Sequence, residues 1–496
     1  MTASTHKVQV ALLCATITFS ATVWAQNDSS DQAGAAPPAA TTPAEINAEN
    51  PPLSGLDAPS AEPAYGGRSY LLPGIQLSES ANSNFNGNTG NNTHVAAVSR
   101  GLGSLDLQKI WKRSQLGLDY IAGGAFYLGT HSPGQTRAYQ VHTFAVNERI
   151  LWRTGQLAIR DSFDYLPEGT FGFGSFGGSG GFGSALGGGS IPGVGGGTGM
   201  GGGLGGGTPP GLVGSPGTFG SVGLQPRIDN TSVIDVVQQL SPRSSFTIAG
   251  GYDFTNFLDK SQSRFNLINS QQFNGQIGFN HLLSKKDQVG LLYAFQDFHF
   301  PNASSGTVTA HVWHVLYGHR ITGRLNFTAA GGPQLLILHS PLFGETKRVS
   351  GNGSVTLHYT FSSRTSGQIL YQRFVTPGSG FYAGSNTDAA RVSLNRLMGR
   401  HWNAAVDSGY SHNSSLQTNL LTAGLHSSSY GYWYAGGSLR RQIGQHFGAF
   451  MSYQFNHFGS ASCTMATGSP SPCGQGIQQH TGTIGIDWHP RPIRLD

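Results

Sequence analysis

Charged residues, cysteine and long apolar runs are all scarce in this sequence. Only 11% of its 496 residues are Asp, Glu, Lys or Arg, and only three are cysteine. Beyond residue 25, no segment approaches the roughly 18 consecutive apolar residues of a membrane-spanning helix. The low charge is unusual for a soluble globular protein, and the missing apolar runs exclude membrane-spanning helices.

Concentrated positive charge is also missing. The formal net charge is only +5, and the Lys and Arg residues are spread thinly, with no basic run interleaved with aromatic residues. Nucleic-acid-binding domains concentrate their basic residues on one face or along one helix. The sequence therefore predicts no nucleic-acid partner, although its pI is about 9.0.

Glycine and alternating apolar residues, in contrast, are abundant. The chain contains 73 glycines, and Phe273, Ile277 and Phe279 alternate with polar residues such as Asn274 and Asn280. Because successive side chains of a strand point to opposite faces, this pattern predicts strands with one apolar face and one polar face. Such a sheet suits contact with lipid on one side and water on the other. The regular aromatic alternation argues against disorder.

The segments that precede the strands have two different compositions. Lys7, the apolar stretch 8–23 and the small residues before Gln26 have the pattern of a cleaved signal peptide over residues 1–25. An uncleaved anchor is the alternative, but the apolar stretch is short for it. Residues 26–68 are rich in Ala and Pro and lack periodicity. They predict a disordered periplasmic segment that serves as a linker or binds the cell wall or a partner.

Two kinds of turn alternate between residues 69 and 490, the predicted barrel. Short, charged turns alternate with longer loops rich in Gly, Ser, Asn and Pro, including the Gly-rich external loop 168–226. About 18 strands follow from this alternation, with short periplasmic turns and long external loops. Since lipid cannot satisfy a free strand edge, an all-β, transmembrane, antiparallel up-and-down β-barrel is predicted. Side chains alone cannot fill a barrel of that size, so water or a folded-in loop must occupy it.

Four tryptophans lie near the predicted periplasmic end of the barrel. Trp111, Trp152 and Trp402 stand beside short turns, and Trp488 ends the last predicted strand. Aromatic residues concentrate at membrane interfaces, where one part of the ring is in an apolar environment and the other is hydrated. These four residues are therefore the predicted periplasmic aromatic girdle.

Two cysteines remain once a signal peptide is removed. Cys463 and Cys473 lie in one predicted external loop. In an oxidising compartment, the simplest prediction is a disulfide between them. The alternative, a pair of metal ligands, lacks neighbouring ligand residues in the sequence.

Charged residues also occur at positions predicted to face the barrel interior. They alternate with apolar strand positions and carry both signs, so they are expected to face water. In a channel such groups tune selectivity, and mixed signs predict weakly selective passage of neutral or small polar solutes, for example sugars. They are equally compatible with a plain lumen wall that has no selective role. The candidate pore-lining residues are Asp119, Arg160, Asp164, Asp253, Arg391 and Asp407.

Motifs for catalysis, cofactor binding or metal binding do not stand out. The Gly-rich stretch 169–223 contains GxGxxG matches, but it has no lysine and no helical pattern follows it, so it predicts no nucleotide site. It is either a constriction in the barrel mouth or a plain surface loop. His311 and His314 are three apart, which places them on opposite faces of a strand. The sequence therefore predicts no catalytic residues, no cofactor and no metal site.

The last predicted strand contains a repeated apolar pattern formed by Gly482, Ile484, Ile486 and Trp488, which partly resembles the assembly signal of outer-membrane barrels. The tail at residues 491–496 departs from that signal because the chain does not end on an aromatic residue. With the signal peptide and the two classes of loop, the chain resembles bacterial outer-membrane β-barrel proteins of the porin-like kind. The resemblance implies an outer-membrane location, contact with its lipid, insertion by the barrel-assembly machinery and passage of small hydrophilic solutes without a cofactor.

Two other functions stay open. A non-transport surface barrel would use its loops to bind or help export exopolysaccharide, or to adhere to another cell. A barrel-embedded hydrolase would require a Ser–His–acid cluster at the barrel rim. No spacing in the sequence singles out such a cluster, so the sequence predicts that the protein is not an enzyme.

Overall fold

The computed structural model shows a chain that divides into two units, Met1–Thr41 and Thr42–Asp496, and every described residue belongs to the second. The residues described are 52–54, 69–84, 95–128, 138–168, 224–258, 268–301, 306–340, 344–377, 383–399, 401–416, 429–460 and 476–495. Within these stretches, no helix is long and apolar enough to cross a membrane.

The described residues form long strands and one short one. Eighteen strands have 12 to 19 residues, and the last has two. They are β1 Tyr70–Ser83, β2 Val95–Ile110, β3 Ser114–Leu128, β4 Ala138–Trp152, β5 Gly155–Glu168, β6 Leu224–Ser241, β7 Ser244–Phe257, β8 Ser270–Leu282, β9 Asp287–His299, β10 Thr307–Thr322, β11 Leu325–Ser340, β12 Gly344–Ser362, β13 Thr365–Thr376, β14 Ser385–Met398, β15 Trp402–Ser415, β16 Ser429–Ile443, β17 Phe447–Ser460, β18 Ile477–Trp488 and β19 Ile493–Arg494.

The sheet closes on itself. Each of β1 to β17 pairs antiparallel with the strand that follows it, and β1 also pairs with β18, from Ile75 opposite Trp488 to Asn82 opposite Thr481. Closure leaves none of the described long strands with an unpaired edge, as a lipid environment requires. The predicted antiparallel up-and-down barrel of about 18 strands is confirmed.

The predicted C-terminal tail contributes a further pairing. Ile493 and Arg494 lie opposite Leu71 and Tyr70, at the beginning of β1. The Leu495 amide also donates to the Ser69 carbonyl oxygen at 3.2 Å. Pairing therefore continues beyond Trp488, and part of the tail reinforces the seam where the first and last long strands meet.

The two ends of the barrel differ in the length of their connections. At one end, adjacent strands are joined by turns of two to four residues, such as 153–154, 242–243 and 283–286. We call this the short-turn end. The opposite, long-loop end carries the connections that include residues 169–223 and 461–475, which lie outside the described residues. The alternation of turn lengths predicted from the sequence holds except between β11 and β12, where the connection at the long-loop end has only three residues, 341–343.

Alternation along each strand separates an outer face from an inner face. On β8, Phe273 is 54% exposed while its neighbour Asn274 is 1% exposed. Ile277 and Phe279 share the outer face, and Gln276 shares the inner face. Apolar side chains therefore cover the outside of the cylinder, as the two-residue period requires.

The outer face departs from this apolar pattern between β5 and β6. Asp161 lies directly opposite Ser232, and both side chains point outward. The Ser232 hydroxyl donates a hydrogen bond to the Asp161 carboxylate, and the Asn230 amide donates to the Ser162 carbonyl oxygen at 3.1 Å. Local donors therefore surround a carboxylate that would otherwise be costly to place in an apolar belt.

The inner face is less uniformly polar than the sequence predicted. In the half nearest the long loops, buried apolar and aromatic side chains, such as Tyr127, Phe298 and Tyr432, form clusters inside the cylinder. In this half, apolar residues occupy both parities of the strands, as with the outward Phe126 beside the inward Tyr127. The expectation of an inner face made mostly of small and polar residues is wrong here, and nearer the short-turn end it is correct apart from an apolar patch that includes Ala249, Leu292 and Leu316.

Candidate functional site: the inner wall of the barrel

The six candidate pore-lining residues all occupy inward-facing strand positions. Asp119 is on β3, Arg160 and Asp164 on β5, and Asp253 on β7. The remaining two, Arg391 and Asp407, are on β14 and β15. Their inward direction agrees with the two-residue period. Asp119 and Asp253 are buried, however, although the sequence predicted that they face water. Neighbouring side chains cover them; for example, the Asn274 amide donates to Asp253 Oδ2 at 2.7 Å.

Arg391 and Asp407 form an ion pair across two adjacent strands. Arg391 Nε donates to Asp407 Oδ2 at 2.7 Å, and Arg391 Nη2 lies 2.6 Å from the same oxygen. The Tyr434 hydroxyl, from the next strand, donates to the other carboxylate oxygen. Three strands thus hold one pair of opposite charges on the inner wall. Both charged side chains keep about a quarter of their surface exposed, so the pair is accessible from the lumen.

Arg160 pairs with a residue that the sequence analysis did not select. Its guanidinium contacts Asp235 on β6, the strand next to its own. Arg227 and Asp229 form a second pair on β6, at 2.5 Å. Asp229 and Asp235 have the inward parity of β6, so strict use of the alternation would have identified them. The contact between Arg160 and Asp235, in contrast, depends on the pairing between β5 and β6.

A further ion pair lies deep in the wall near the short-turn end. Arg440 Nη2 donates to Asp487 Oδ2 at 2.7 Å, and both side chains are buried. The two residues belong to β16 and β18, so their side chains meet over Gly448 of the intervening strand β17. A Cβ at position 448 would lie 2.6 Å from Asp487 Oδ1 and 3.0 Å from Arg440 Nη2. The glycine therefore provides the space in which the pair forms.

Acidic residues meet on β2 and β3. Asp106 lies opposite Asp119 in the strand register, and the Tyr70 hydroxyl donates to Asp106 Oδ2 at 2.9 Å. Six residues away on β2, toward the long-loop end, Arg100 Nη1 donates to the Ser80 hydroxyl at 2.8 Å. In the part of the chain that the structure describes, no group of three or more His, Cys, Asp or Glu residues could hold a metal ion.

Neutral amide side chains line another sector of the wall. On β8, Gln272 donates to Asn274 at 2.5 Å, and Asn352 of β12 donates to Gln334 of β11 at 2.9 Å. Gln296, on β9, is also buried in the inner wall. The wall therefore combines paired charges of both signs with a neutral sector rich in hydrogen-bonding groups.

The four tryptophans of the predicted periplasmic girdle point outward beside the short-turn end. Trp111, Trp152, Trp402 and Trp488 are all exposed. Trp152 Nε1 donates to Gln238 Oε1 at 3.0 Å, and the Arg441 guanidinium carbon lies 5.2 Å from the Trp402 ring centroid. These contacts place a polar group beside both of these rings, which is the arrangement expected of tryptophans at a membrane interface.

A second row of aromatic contacts, which the sequence analysis missed, lies on the outer face toward the long loops. It consists of tyrosines that hydrogen bond to a histidine on the adjacent strand. The pairs are Tyr120 with His142 at 3.1 Å, Tyr293 with His311 at 2.8 Å, and Tyr453 with His480 at 2.7 Å. Each pair spans neighbouring strands, so a single-strand pattern does not reveal it.

Other sequence-based expectations concern residues that are not described or that lie away from the lumen. Cys463 and Cys473 fall outside the described residues, as does nearly all of the Gly-rich loop. A Ser–His contact exists between the Ser244 hydroxyl and His281 Nδ1, at 2.9 Å. It points outward near the short-turn end, away from any solute in the lumen. The disulfide between Cys463 and Cys473 stays a prediction, because neither cysteine is among the described residues.

These features define a class of protein. A closed cylinder of 18 antiparallel strands, apolar outside and largely polar inside, with short turns at one end and long loops at the other, has the fold of porin-like outer-membrane β-barrels. The assignment rests on this chain's own strand pairing and on the separation of its two faces.

Comparison with solved structures gives matches of low identity. OccAB4 from Acinetobacter baumannii has 10% identity and a TM-score of 0.41, covering 86% of this chain and 100% of that chain. The outer membrane protein OpdK from Pseudomonas aeruginosa has 11% identity and a TM-score of 0.38, covering 85% and 98%. A BenF-like porin from Pseudomonas fluorescens Pf-5 has 11% identity and a TM-score of 0.40, covering 86% and 99%. No protein-family model and no curated protein matches the chain.

Proposed function

We propose that this protein is an outer-membrane channel through which small hydrophilic solutes diffuse. The observation that carries the proposal is the inner wall, where charges of both signs are held in pairs beside a neutral sector of Asn and Gln. Paired charges leave little net field along the lumen, and the amides offer hydrogen bonds to uncharged polar solutes. Neutral solutes such as sugars therefore suit this wall better than ions of one sign.

The proposed location follows from the outer face. Its apolar belt would contact outer-membrane lipid, the short-turn end would face the periplasm, and the four tryptophans would form the periplasmic girdle. Export through an N-terminal signal peptide and insertion by the barrel-assembly machinery complete the proposal. No catalytic or cofactor role is assigned to the inner wall.

The direct test is conductance in planar lipid bilayers. Purified full-length protein, and a variant that lacks residues 26–54, should insert and give discrete current steps in KCl. Uptake of neutral sugars into liposomes containing the protein should exceed that into empty liposomes. If both proteins gave no current steps and no sugar uptake, the channel function would be contradicted.

The Arg391–Asp407 pair provides a test of ion preference. Asp407→Asn should shift permeability toward chloride, because the neighbouring guanidinium then lacks its counter-charge. One unit charge acting over ~8 Å of water contributes ~0.5 kcal/mol, which is roughly a twofold change in the ratio of chloride to potassium permeability. The reversal potential under a KCl gradient measures that ratio. Asp407→Asn combined with Arg391→Gln should restore the original value, and an unchanged reversal potential in the single variant would place the pair away from the ion path.

A further inference from the structure

Residues 52–54 precede β1 in the sequence and lie against the inner wall of the barrel, next to strands that follow about 190 residues later. The sequence predicted them to be part of a disordered periplasmic segment. In the structure, Leu53 and Ser54 are buried against side chains of β7, β8 and β10. We call Pro52, Leu53 and Ser54 the lumen anchor. The rest of the predicted disordered segment, residues 26–51 and 55–68, lies outside the described residues.

Every polar group of Ser54 has a partner on the inner wall. The Ser54 amide donates to Asn280 Oδ1 at 3.1 Å, and Gln276 Nε2 donates to the Ser54 carbonyl oxygen at 2.9 Å. The Ser54 and Thr247 hydroxyl oxygens are 2.6 Å apart. A buried polar group is costly unless it is hydrogen bonded, so this complete set of partners constitutes a built site rather than an accidental contact.

Leu53 occupies an apolar part of the same wall. It packs in a cluster with residues of β6, β7, β9 and β10, including Val233, Ala249, Leu292 and Leu316. These side chains face the lumen, where they would otherwise be exposed to water. The anchor thus covers an apolar patch with Leu53 and satisfies the adjacent polar groups with Ser54.

Two glycines of the wall make room for the anchor. A Cβ at Gly278 would lie 2.3 Å from the Ser54 Cβ, and a Cβ at Gly318 would lie 3.2 Å from Leu53 Cδ2. Neither glycine has a positive φ, so the backbone conformation does not require glycine at either position. Because glycine has no side chain, these two positions leave the space that the anchor fills.

The anchor binds the wall opposite the start of the barrel. It contacts β7, β8 and β10, whereas its own chain enters the sheet at β1, and the ring of strands places these on opposite sides. Thr247 and Asn280 lie within a few residues of the short turns 242–243 and 283–286. A solute that travels along the lumen has to pass this level.

We propose that the inner wall of β7, β8 and β10 is a binding site for residues 52–54, and that the docked anchor obstructs the lumen near the short-turn end. The proposal rests on the channel function proposed above. Solutes pass freely when the anchor leaves the wall, so residues 52–54 act as an internal ligand that regulates the channel.

Single-channel conductance of matched glycine variants tests the proposal. Gly278→Ala places a methyl group where Ser54 packs, whereas Gly275→Ala, on the outer face of the same strand, meets no atom within 4 Å. Leu53→Asp weakens the anchor and leaves the wall unchanged. We expect Gly278→Ala and Leu53→Asp to raise the conductance roughly twofold or more, because conductance follows the open cross-section, and Gly275→Ala to equal the unsubstituted chain.

A reversible cross-link gives an independent readout. Ser54→Cys with Thr247→Cys, in a chain with Cys463→Ser and Cys473→Ser, should form a disulfide under oxidation, hold the conductance low, and recover on reduction. Equal conductance in the full chain, in Leu53→Asp and in the oxidised cross-linked chain would overturn the obstruction while leaving the channel intact. Absence of conductance in every variant, including the chain without residues 26–54, would overturn the channel function and the obstruction with it.

Discussion

Replacing Arg440 by methionine is expected to destabilise the barrel by about 3–5 kcal/mol. Asp487 is only 1% exposed, and the substitution would leave its carboxylate in the wall without the guanidinium that lies 2.7 Å away. The pair also joins β16 to β18, next to the seam where β18 meets β1. The free energy of unfolding can be measured by urea titration in lipid vesicles, with tryptophan fluorescence as the signal.

The matched control removes both charges. Arg440→Met combined with Asp487→Leu should recover most of the lost stability, because a buried ion pair replaced by apolar residues of similar volume is often close to neutral. Gly448→Ala should weaken the barrel through the same contact, since its methyl group would overlap the Asp487 carboxylate. If the double variant were as unstable as Arg440→Met alone, loss of packing rather than an uncompensated carboxylate would explain the effect.

Arginine placed at the centre of the outer face is expected to destabilise the barrel nearly as much as Arg440→Met. Val315 lies in the middle of β10, points outward and is 62% exposed. If this face meets lipid, Val315→Arg should cost about 2–4 kcal/mol, because a cation at the bilayer midplane is poorly solvated. Urea unfolding of the protein in vesicles measures the cost.

The depth of the substitution provides its control. Ile321 shares the strand and the outward face with Val315 but stands beside the turn at the short-turn end. Near the interface the guanidinium can reach water, so Ile321→Arg should cost only ~0–1 kcal/mol. Equal costs at the two positions would contradict a lipid belt centred on the strands, and with it the proposed membrane location.

Much of the fold was predictable from single strands. The alternation of Phe273 and Ile277 with Asn274 and Gln276 predicted two faces, and the turn lengths predicted an even set of about 18 strands in a closed barrel. The same parity placed all six candidate pore-lining residues on the inward side. These features depend on a two-residue period and on turn composition, and both are local properties of the chain.

The contacts of the inner wall were less predictable. Arg160 was considered with Asp164 because they share a strand, yet it pairs with Asp235 on the next strand. Arg440 and Asp487 were not selected at all, although both have inward parity. Which inward residues meet is decided by strand register and by the space over residues such as Gly448, and neither can be deduced from one strand.

The amino-acid sequence by itself determined the strands, their two faces and the need to close the sheet, because backbone hydrogen bonding and side-chain alternation act over a few residues. The tertiary structure alone decided which charged residues pair, where the apolar clusters form inside the long-loop half, and where residues 52–54 bind. These arise only when closure brings distant strands to a common interior, where Ser54 and Asn280, 226 residues apart, form a hydrogen bond.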